Sequence, residues 1–221
     1  MVESQSWLRL PTSDELPSSD DTPVDNELQN DIPNLLKFIL GFLWATRNDW
    51  FFGVDMGVYH TTGSNPRIPL IPDGFLSLRV PRLKGGKLRK SYVTWEENYV
   101  VPILTLEVVS ETYGNQYEDK MSKYAQLGVL YYTIYNPEFW HRDKHDPLEV
   151  YRLVDGEYQR QVGEPVWMPE ISLGIGRGIG SYCGLQREWL YWYDQRGNRY
   201  LSPEELLVQY RDQFGDLPDN S

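Results

Sequence analysis

The sequence predicts an α/β fold, and three consecutive stretches carry that prediction. Residues 103–109 are apolar on both faces and too short for a helix, which is typical of a central strand. Residues 115–127 then repeat apolar side chains at helical spacing, and residues 129–135 are aromatic and β-branched. A strand, a helix and a strand in this order predict a βαβ-like unit, with a right-handed crossover if the strands are parallel.

Further elements are predicted before this unit. Residues 22–42 predict a helix, because Thr-Pro-Val-Asp is a good helix start and apolar residues recur at helical spacing. Pro33 should kink this helix or split it in two. The alternation over residues 52–58 predicts a strand, and the two prolines in residues 68–73 predict an extended segment that ends at Asp73.

The C-terminal part predicts a hairpin, a late strand and a final helix. Asp155-Gly156 separates two β-prone stretches, which is a strong hairpin signal. Residues 171–180 are glycine-rich but lack a Walker lysine pattern, so we interpret them as a loop or irregular edge rather than as a nucleotide cradle. Residues 189–193 predict an aromatic strand, and the Ser-Pro-Glu-Glu start of residues 202–214 predicts a capped helix.

The length of 221 residues fits one globular domain with appendages. Residues 1–21 are polar and rich in Ser, Asp and Pro, which predicts a flexible N-terminal arm. Residues 22–221 are predicted to form a single domain. Its core spans about residues 22–162, and a C-terminal extension spans about residues 163–221.

Composition excludes several classes of protein. The single Cys183 excludes an intramolecular disulfide framework and suits a reducing cytosol. The three histidines are too scattered for a zinc-site pattern. The sequence has no apolar stretch of membrane-spanning length, and residues 1–30 lack the features of a signal peptide. We therefore expect a cytoplasmic protein that does not enter a membrane.

The charge distribution is uneven. The net charge of −11 argues against strong non-specific binding to nucleic acid, because phosphate contacts need Lys and Arg. Residues 79–90 nevertheless hold six basic residues and no acidic one, and they lie between Asp73 and Glu107. Such a basic loop is either a solvated loop or a surface that contacts phosphates.

Glu107 is a lone charge in an otherwise apolar stretch. Burying an unpaired carboxylate costs several kcal/mol, so such a residue usually has a cation or a hydrogen-bond partner. Our interpretation is that Glu107 and Asp73 hold a divalent metal in a nuclease-like site. The alternative is that Glu107 reaches water at the end of its strand and that Asp73-Gly74 is a simple turn.

Two further residues complete this candidate site. Lys120 lies beside the apolar stripe of its helix, so its ammonium can lie near the sheet or extend to solvent. Glu27 lies on the border of the stripe of the first helix, where it is either a surface residue or a contributor to the site. Phosphodiester hydrolysis suits this set, because Mg²⁺ takes carboxylate and water ligands and a lysine can orient or deprotonate the attacking water.

These residues resemble motifs of the PD-(D/E)XK, or restriction-endonuclease-like, nuclease superfamily. Pro72-Asp73 matches its first motif, and Glu107-Val108-Val109 matches the second, with Val109 where the superfamily has lysine. More closely, residues 107–132 resemble a bacterial subgroup of proposed restriction endonucleases that is abundant in cyanobacteria. Its lysine lies on the following helix, at Lys120 here, and this chain has Gln116 where the subgroup often has an acidic residue.

The resemblance implies a restriction-endonuclease-like core with a central mixed β-sheet flanked by helices, plus an added C-terminal β-hairpin and helix. It implies that Asp73 and Glu107 hold Mg²⁺ or Mn²⁺, that the Val108 carbonyl joins the metal shell, that Lys120 assists the attacking water and that Glu27 contributes from the first helix. The implied substrate is double-stranded DNA. A homodimer would suit cleavage of both strands, by analogy.

Two alternatives stay open. Val109 and the acidic net charge also suit a catalytically inactive nuclease-fold module that acts in DNA binding or protein interaction. A glycosidase could use Asp73 and Glu107 as its carboxylate pair, and would need them about 5–9.5 Å apart around a sugar-sized cleft. Nothing else in the sequence indicates sugar binding.

Overall fold

A computed structural model describes residues 9–17, 26–111 and 115–215. These residues form α-helices and strands in the following order along the chain. They are α1 (Glu27–Leu43), β1 (Trp50–Val54), β2 (Val58–Tyr59), β3 (Gly74–Leu78), β4 (Tyr92–Val93), β5 (Leu104–Val108), α2 (Asp119–Leu127), β6 (Tyr131–Tyr135), α3 (Trp140–Asp143), β7 (Leu148–Val154), β8 (Glu157–Arg160), β9 (Val166–Met168), β10 (Leu173–Tyr182), β11 (Leu185–Tyr193) and α4 (Pro203–Phe214).

The main sheet has six strands in the order β1-β3-β5-β6-β7-β8. Strands β5 and β6 are parallel, in register from Leu104 opposite Tyr131 to Val108 opposite Tyr135. The other neighbours in this sheet are antiparallel, so the sheet is mixed. The α/β fold is therefore confirmed, as is the parallel strand–helix–strand unit in which α2 connects β5 to β6.

The second sheet has the strand order β11-β10-β9 and forms, with α4, the predicted C-terminal addition. The prediction of a loop in the glycine-rich segment is wrong, because this segment forms β10, the central strand. Its alternate glycines make room for tyrosine rings of β11. A Cβ atom at Gly178 would lie 2.9 Å from the Tyr193 hydroxyl, and one at Gly180 would overlap the Tyr191 hydroxyl.

Helix α1 lies between the two sheets and forms the main core with them. Asn26 caps the helix by accepting a hydrogen bond of 3.1 Å from the Gln29 N–H, whereas the predicted start at Thr22 lies outside the described residues. The helix continues through Pro33 as one element, so it is not split. The Trp192 indole N–H donates to the Leu36 carbonyl oxygen at 2.9 Å and joins α1 to β11 inside this core.

The opposite face of the main sheet packs against α2. Tyr124 and Leu127 of α2 are buried there with Tyr132 and Ile134 of β6. Because side chains alternate along a strand, Leu106 and Val108 of β5 belong to the core around α1 while Glu107 faces α2. This alternation places the only charged residue of β5 under the helix that follows it.

Other predicted boundaries change in the structure. The predicted strand over residues 52–58 is interrupted after β1, because Asp55 has the left-handed φ of 45° and turns the chain. The helix predicted over residues 115–127 begins as the 3₁₀ turn Asn115–Tyr117 and continues as α2. The polar stretch before β7 contains the short helix α3.

Part of the predicted N-terminal arm is attached to the domain. The Tyr59 hydroxyl donates to the Pro17 carbonyl oxygen at 2.8 Å, and the Trp95 indole N–H donates to the Pro11 carbonyl oxygen at 2.9 Å. Residues 9–17 of the predicted arm therefore contact the domain, and the rest of the arm lies outside the described residues. Within the described ranges, no helix combines the length and the apolar character needed to cross a membrane.

Candidate active site

Asp73 and Glu107 meet because their strands are neighbours. Asp73 comes directly before β3, and the antiparallel register of β3 and β5 sets Gly74 opposite Leu106. The Asp73 Oδ2 accepts a hydrogen bond of 2.6 Å from the Val108 N–H, the residue after Glu107. A Cβ at Gly74 would lie 3.1 Å from the Pro33 Cβ, so the glycine lets this end of β3 approach α1.

Lys120 contacts Glu107 from α2. The Lys120 Nζ lies 2.6 Å from the Glu107 Oε2, and the side chain of Lys120 is 32% exposed while that of Glu107 is 1% exposed. The other carboxylate oxygen, Oε1, accepts a hydrogen bond of 2.7 Å from the Tyr124 hydroxyl. Of the two positions that helical spacing left open for Lys120, the ammonium takes the one near the sheet. Tyr124 lies within the predicted apolar stripe of residues 115–127, and its hydroxyl is an additional partner of the carboxylate.

The two carboxyl groups are poorly solvated. Burial raises the pKa of Glu107, although the charge and hydrogen bond of Lys120 and the hydrogen bond from Tyr124 act in the opposite direction. Burial raises the pKa of Asp73 well above its usual value, and the Glu107 charge raises it further, against the Val108 N–H and Lys120. A bound cation would relieve the repulsion between these carboxylates.

Asp55 is a further acidic residue near Asp73. Its backbone N–H donates to the Asp73 carbonyl oxygen at 3.0 Å, and its charge contributes to raising the pKa of the Asp73 carboxyl. No local sequence pattern indicates this contact, because Asp55 has the place of a polar residue in an alternating strand. Its left-handed backbone brings the two segments together.

Gln29 of α1 contacts β5 next to the two carboxylates. Its Nε2 donates to the Val108 carbonyl oxygen at 3.4 Å, the atom that the resemblance assigns to a metal shell. Glu27, two residues earlier, is exposed in the first turn of α1 and lines a groove with Asp31 and Arg187. The structure thus brings together the side chains of Asp73, Glu107 and Lys120 with the backbone of Val108, and it places Glu27 at this groove.

The ligand atoms at the site suit a hard cation. Among the described residues there is no group of three or more His, Cys, Asp or Glu side chains that could hold a metal ion. Two carboxylates and the Val108 carbonyl nevertheless form an all-oxygen donor set, and Mg²⁺ commonly uses one or two carboxylates with several waters. The Glu107 oxygens already accept from Lys120 and Tyr124, but a carboxylate oxygen has a second lone pair for a cation.

The basic loop begins at the end of β3 that lies away from Asp73, and part of its charge is neutralised within the chain. The Lys84 Nζ lies 2.7 Å from the Glu96 Oε2. The Arg89 Nε lies 2.9 Å from the Glu97 Oε1, with both side chains buried. These residues therefore hold the loop to the turn before β5, and the loop is less positive than its sequence suggests.

A mixed sheet with two carboxylates at neighbouring strands, and a lysine beside one of them, is typical of the restriction-endonuclease-like class of proteins. A family comparison agrees with this class. The chain belongs to the Uma2 family, which is described as "Putative restriction endonuclease" and whose family model matches residues 22–182. Searches among curated proteins and among solved structures found no match. The match confirms the resemblance to the PD-(D/E)XK superfamily and indicates a nuclease-type hydrolase.

Proposed function

We propose that this protein is an endonuclease that hydrolyses phosphodiester bonds of double-stranded DNA with Mg²⁺ or Mn²⁺. The observation that supports it most is the 2.6 Å contact between the Lys120 ammonium and the buried Glu107 carboxylate, next to a second carboxylate at Asp73. This set combines oxygen ligands for a cation with a positive group for the phosphate. The family's description supports a DNA substrate.

Each residue has a distinct proposed role. Asp73, Glu107 and the Val108 carbonyl would hold the metal ion, which when bound supplies charge neutralisation and an acidified water. Lys120, as an ammonium paired with Glu107, stabilises negative charge on the phosphate and orients the attacking water. Tyr124 holds one oxygen of Glu107 and thereby fixes the orientation of the carboxylate.

We also propose a role for Glu27, a homodimer and a cytoplasmic location. We include Glu27 as a contributor from α1, and Glu27→Ala should be compared with Gln29→Ala, because Gln29 is the residue that contacts Val108. A two-fold dimer would present two sites to the antiparallel strands of a duplex. The cytoplasmic location rests on the reduced state expected for Cys183.

The test is nicking of supercoiled plasmid DNA with Mg²⁺ or Mn²⁺. Lys120→Ala should lower the rate by roughly 10²–10³-fold, the range for loss of a group that stabilises negative charge in the transition state. Lys123→Ala is the matched control, because Lys123 lies on the same helix but pairs with Asp119 at the surface. Asp73→Ala and Glu107→Ala should abolish cleavage. A wild-type protein that cuts none of a range of DNA substrates with either metal would contradict the proposal.

The inactive-module alternative makes a different prediction in the same experiment. It is favoured by Val109 at the usual lysine position and by the net charge of −11. An inactive module would bind DNA or a protein partner without cleavage, and Lys120→Ala would leave that binding unchanged. The nuclease proposal instead requires metal-dependent cleavage that depends on Lys120.

A further inference from the structure

A nuclease needs cations near its site for the DNA phosphates, and the basic loop is poorly placed to supply them. That loop begins at the end of β3 away from Asp73, and its Lys84 and Arg89 are paired with glutamates. Because β5 and β6 are parallel, the chain that follows β6 leaves the sheet at the same end as the chain that follows Glu107. This stretch, residues 136–146, contains α3, and we call it the α3 segment.

The α3 segment contacts the chain on both sides of the candidate site. The Arg142 Nη1 donates to the Glu111 carbonyl oxygen at 2.6 Å, which joins α3 to the chain that follows β5. The His145 ring stacks on the Tyr117 ring, with centroids 3.6 Å apart. Tyr117 lies three residues before Lys120 and directly precedes the start of α2. The α3 segment is therefore fixed to the elements that carry the carboxylate and the lysine of the site.

The acidic residues of the α3 segment are neutralised within the chain. Each one is paired with an arginine: Glu138 with Arg187, Asp143 with Arg142, and Asp146 with Arg160. Asp143 also accepts a hydrogen bond of 2.9 Å from the Asn136 Nδ2, and Asn136 directly follows β6. These contacts hold α3 to the end of the sheet, and they reduce the repulsion that its carboxylates would exert on a phosphate.

Lys144 is a cation that these pairs do not use. It is exposed, and its ammonium makes no ion pair or hydrogen bond with any residue that the structure describes. Lys144 ends α3 in the left-handed conformation, with a φ of 59°. Glycine takes this conformation at lower cost, so a lysine there stores backbone strain. A strained position beside a candidate active site suggests a function for the side chain that occupies it.

We propose that Lys144 binds a DNA phosphate within a few nucleotides of the one that is cleaved, and so positions the duplex at the candidate site. This role rests on the proposed nuclease function. The chain from Glu107 to Glu111, where α3 is attached, spans at most about 14 Å. Each strand of B-DNA carries a phosphate every ~3.4 Å of helix axis, so several phosphates fall within that distance. Lysine binds phosphate as a point charge and needs no fixed geometry.

The test measures DNA binding separately from cleavage. Fluorescence anisotropy of a labelled duplex in chelator, where no metal-dependent cleavage occurs, gives the dissociation constant at several salt concentrations. Lys144→Ala should weaken binding about three- to tenfold at about 0.1 M salt, and it should reduce the slope of log K against log [salt] by about 1, the value for one phosphate contact. Lys144→Arg keeps the charge and should preserve both quantities. Lys87→Ala is the matched control, because Lys87 is an exposed lysine of the basic loop, and it should change neither.

Lys144→Gly distinguishes a role in binding from a role in folding. Glycine removes the strain together with the side chain, so the urea midpoint should rise while DNA binding weakens as in Lys144→Ala. An unchanged salt slope in Lys144→Ala, or an equal loss in Lys87→Ala, would overturn the role of Lys144 without affecting the nuclease proposal. A wild type that binds no duplex would overturn it as well. A wild type that binds through Lys144 but does not cleave would support this role and contradict only the nuclease activity.

Discussion

The Lys120 ammonium lies 2.6 Å from the Glu107 carboxylate although the two residues are thirteen positions apart and on different elements. The superfamily pattern has the lysine two residues after the glutamate, on the same strand, where this chain has Val109. Because α2 follows β5 directly and packs on the face that Glu107 occupies, a helix residue reaches the same place. The Glu107 carboxylate thus has an ammonium partner in this chain, but the lysine that supplies it lies on the following helix and not on the strand.

Moving the lysine back to the strand should restore part of the function lost in Lys120→Ala. Val109 is 2% exposed and points to the same face as Glu107, because the two are separated by one residue of extended chain. We expect Lys120→Ala/Val109→Lys to cleave plasmid DNA about tenfold faster than Lys120→Ala alone, a fraction of the usual benefit from such a group. The measurement is the initial nicking rate at saturating metal.

Val109→Met in the Lys120→Ala background is the control for this experiment. Methionine has a long side chain but no charge, so it should give no recovery. Recovery by Met, or an equal rate for all three proteins, would mean that the ammonium is not what the site requires.

Tyr124→Phe should move the acid limb of the cleavage profile to higher pH. The Tyr124 hydroxyl donates to Glu107 at 2.7 Å and lowers the pKa of that carboxyl against the effect of burial. Without this bond the Glu107 pKa rises, so the carboxylate that binds metal forms only at higher pH. The change should also cost about 1–3 kcal/mol of unfolding free energy, because a buried acceptor loses a partner.

Tyr132→Phe is the control that separates the effect on the pKa of Glu107 from the effect on stability. The Tyr132 hydroxyl donates to the backbone carbonyl of Gln116 at 2.7 Å, so its loss should lower stability to a similar degree in urea unfolding. Tyr132→Phe should not shift the pH profile of cleavage. Equal shifts of the profile in both variants would argue for a general loosening of α2.

The strand–helix–strand unit could be predicted because its signals are local. Residues 103–135 contain a short apolar strand, a helical stripe closed by Gly128 and an aromatic strand, and the packing of the unit follows from their order. Lys120 could be placed for the same reason, since helical spacing alone puts it on the side of Glu107. The hairpin at Asp155-Gly156 and the capped helix α4 could likewise be predicted, because turn and capping residues mark them locally.

The features that could not be predicted depend on contacts between distant segments. Gln29 reaches Val108 because α1 packs across the sheet, and Asp55 meets Asp73 because its backbone is left-handed. Neither contact leaves a pattern in its own segment. Strand β10 was missed for a related reason: its glycines have low strand propensity, and only the tyrosines of β11 explain why they are there.

Gly180→Ala should destabilise the protein, whereas Gly41→Ala should stabilise it. A Cβ at Gly180 would overlap the Tyr191 hydroxyl and lie 2.6 Å from a Glu205 carboxylate oxygen, so the methyl group should cost about 1–3 kcal/mol. A Cβ at Gly41, in α1, would have no neighbour within 4 Å, and alanine in a helix should add about 0.5–1 kcal/mol. Urea unfolding of both variants checks the two signs, and a neutral Gly180→Ala would argue against the tyrosine–glycine packing in β10.

Asp73→Asn should stabilise the metal-free protein, and it should abolish the stabilisation that added metal gives to the wild type. Burial and the Glu107 charge raise the Asp73 pKa well above 3.8, its usual value, so at neutral pH this carboxyl makes the folded state less stable relative to the unfolded chain, in which it ionises freely. Asparagine removes that charge, and its side-chain oxygen can still accept from the Val108 N–H. The expected gain at neutral pH is about 1 kcal/mol, within the usual range for stabilising changes at functional sites.

The sign of the pH dependence follows from the raised pKa of Asp73. Below 3.8 the carboxyl is protonated in both the folded and the unfolded chain, so Asp73→Asn and the wild type should differ little in unfolding free energy. As the pH rises from 3.8 towards the pKa of Asp73 in the folded protein, this carboxyl ionises first in the unfolded chain. The wild type therefore loses stability relative to Asp73→Asn over this pH range. The difference, measured by urea unfolding in chelator, should therefore grow with pH and then level off. Added Mg²⁺ or Mn²⁺ should raise the stability of the wild type alone, and an equal rise in Asp73→Asn would place the ion elsewhere.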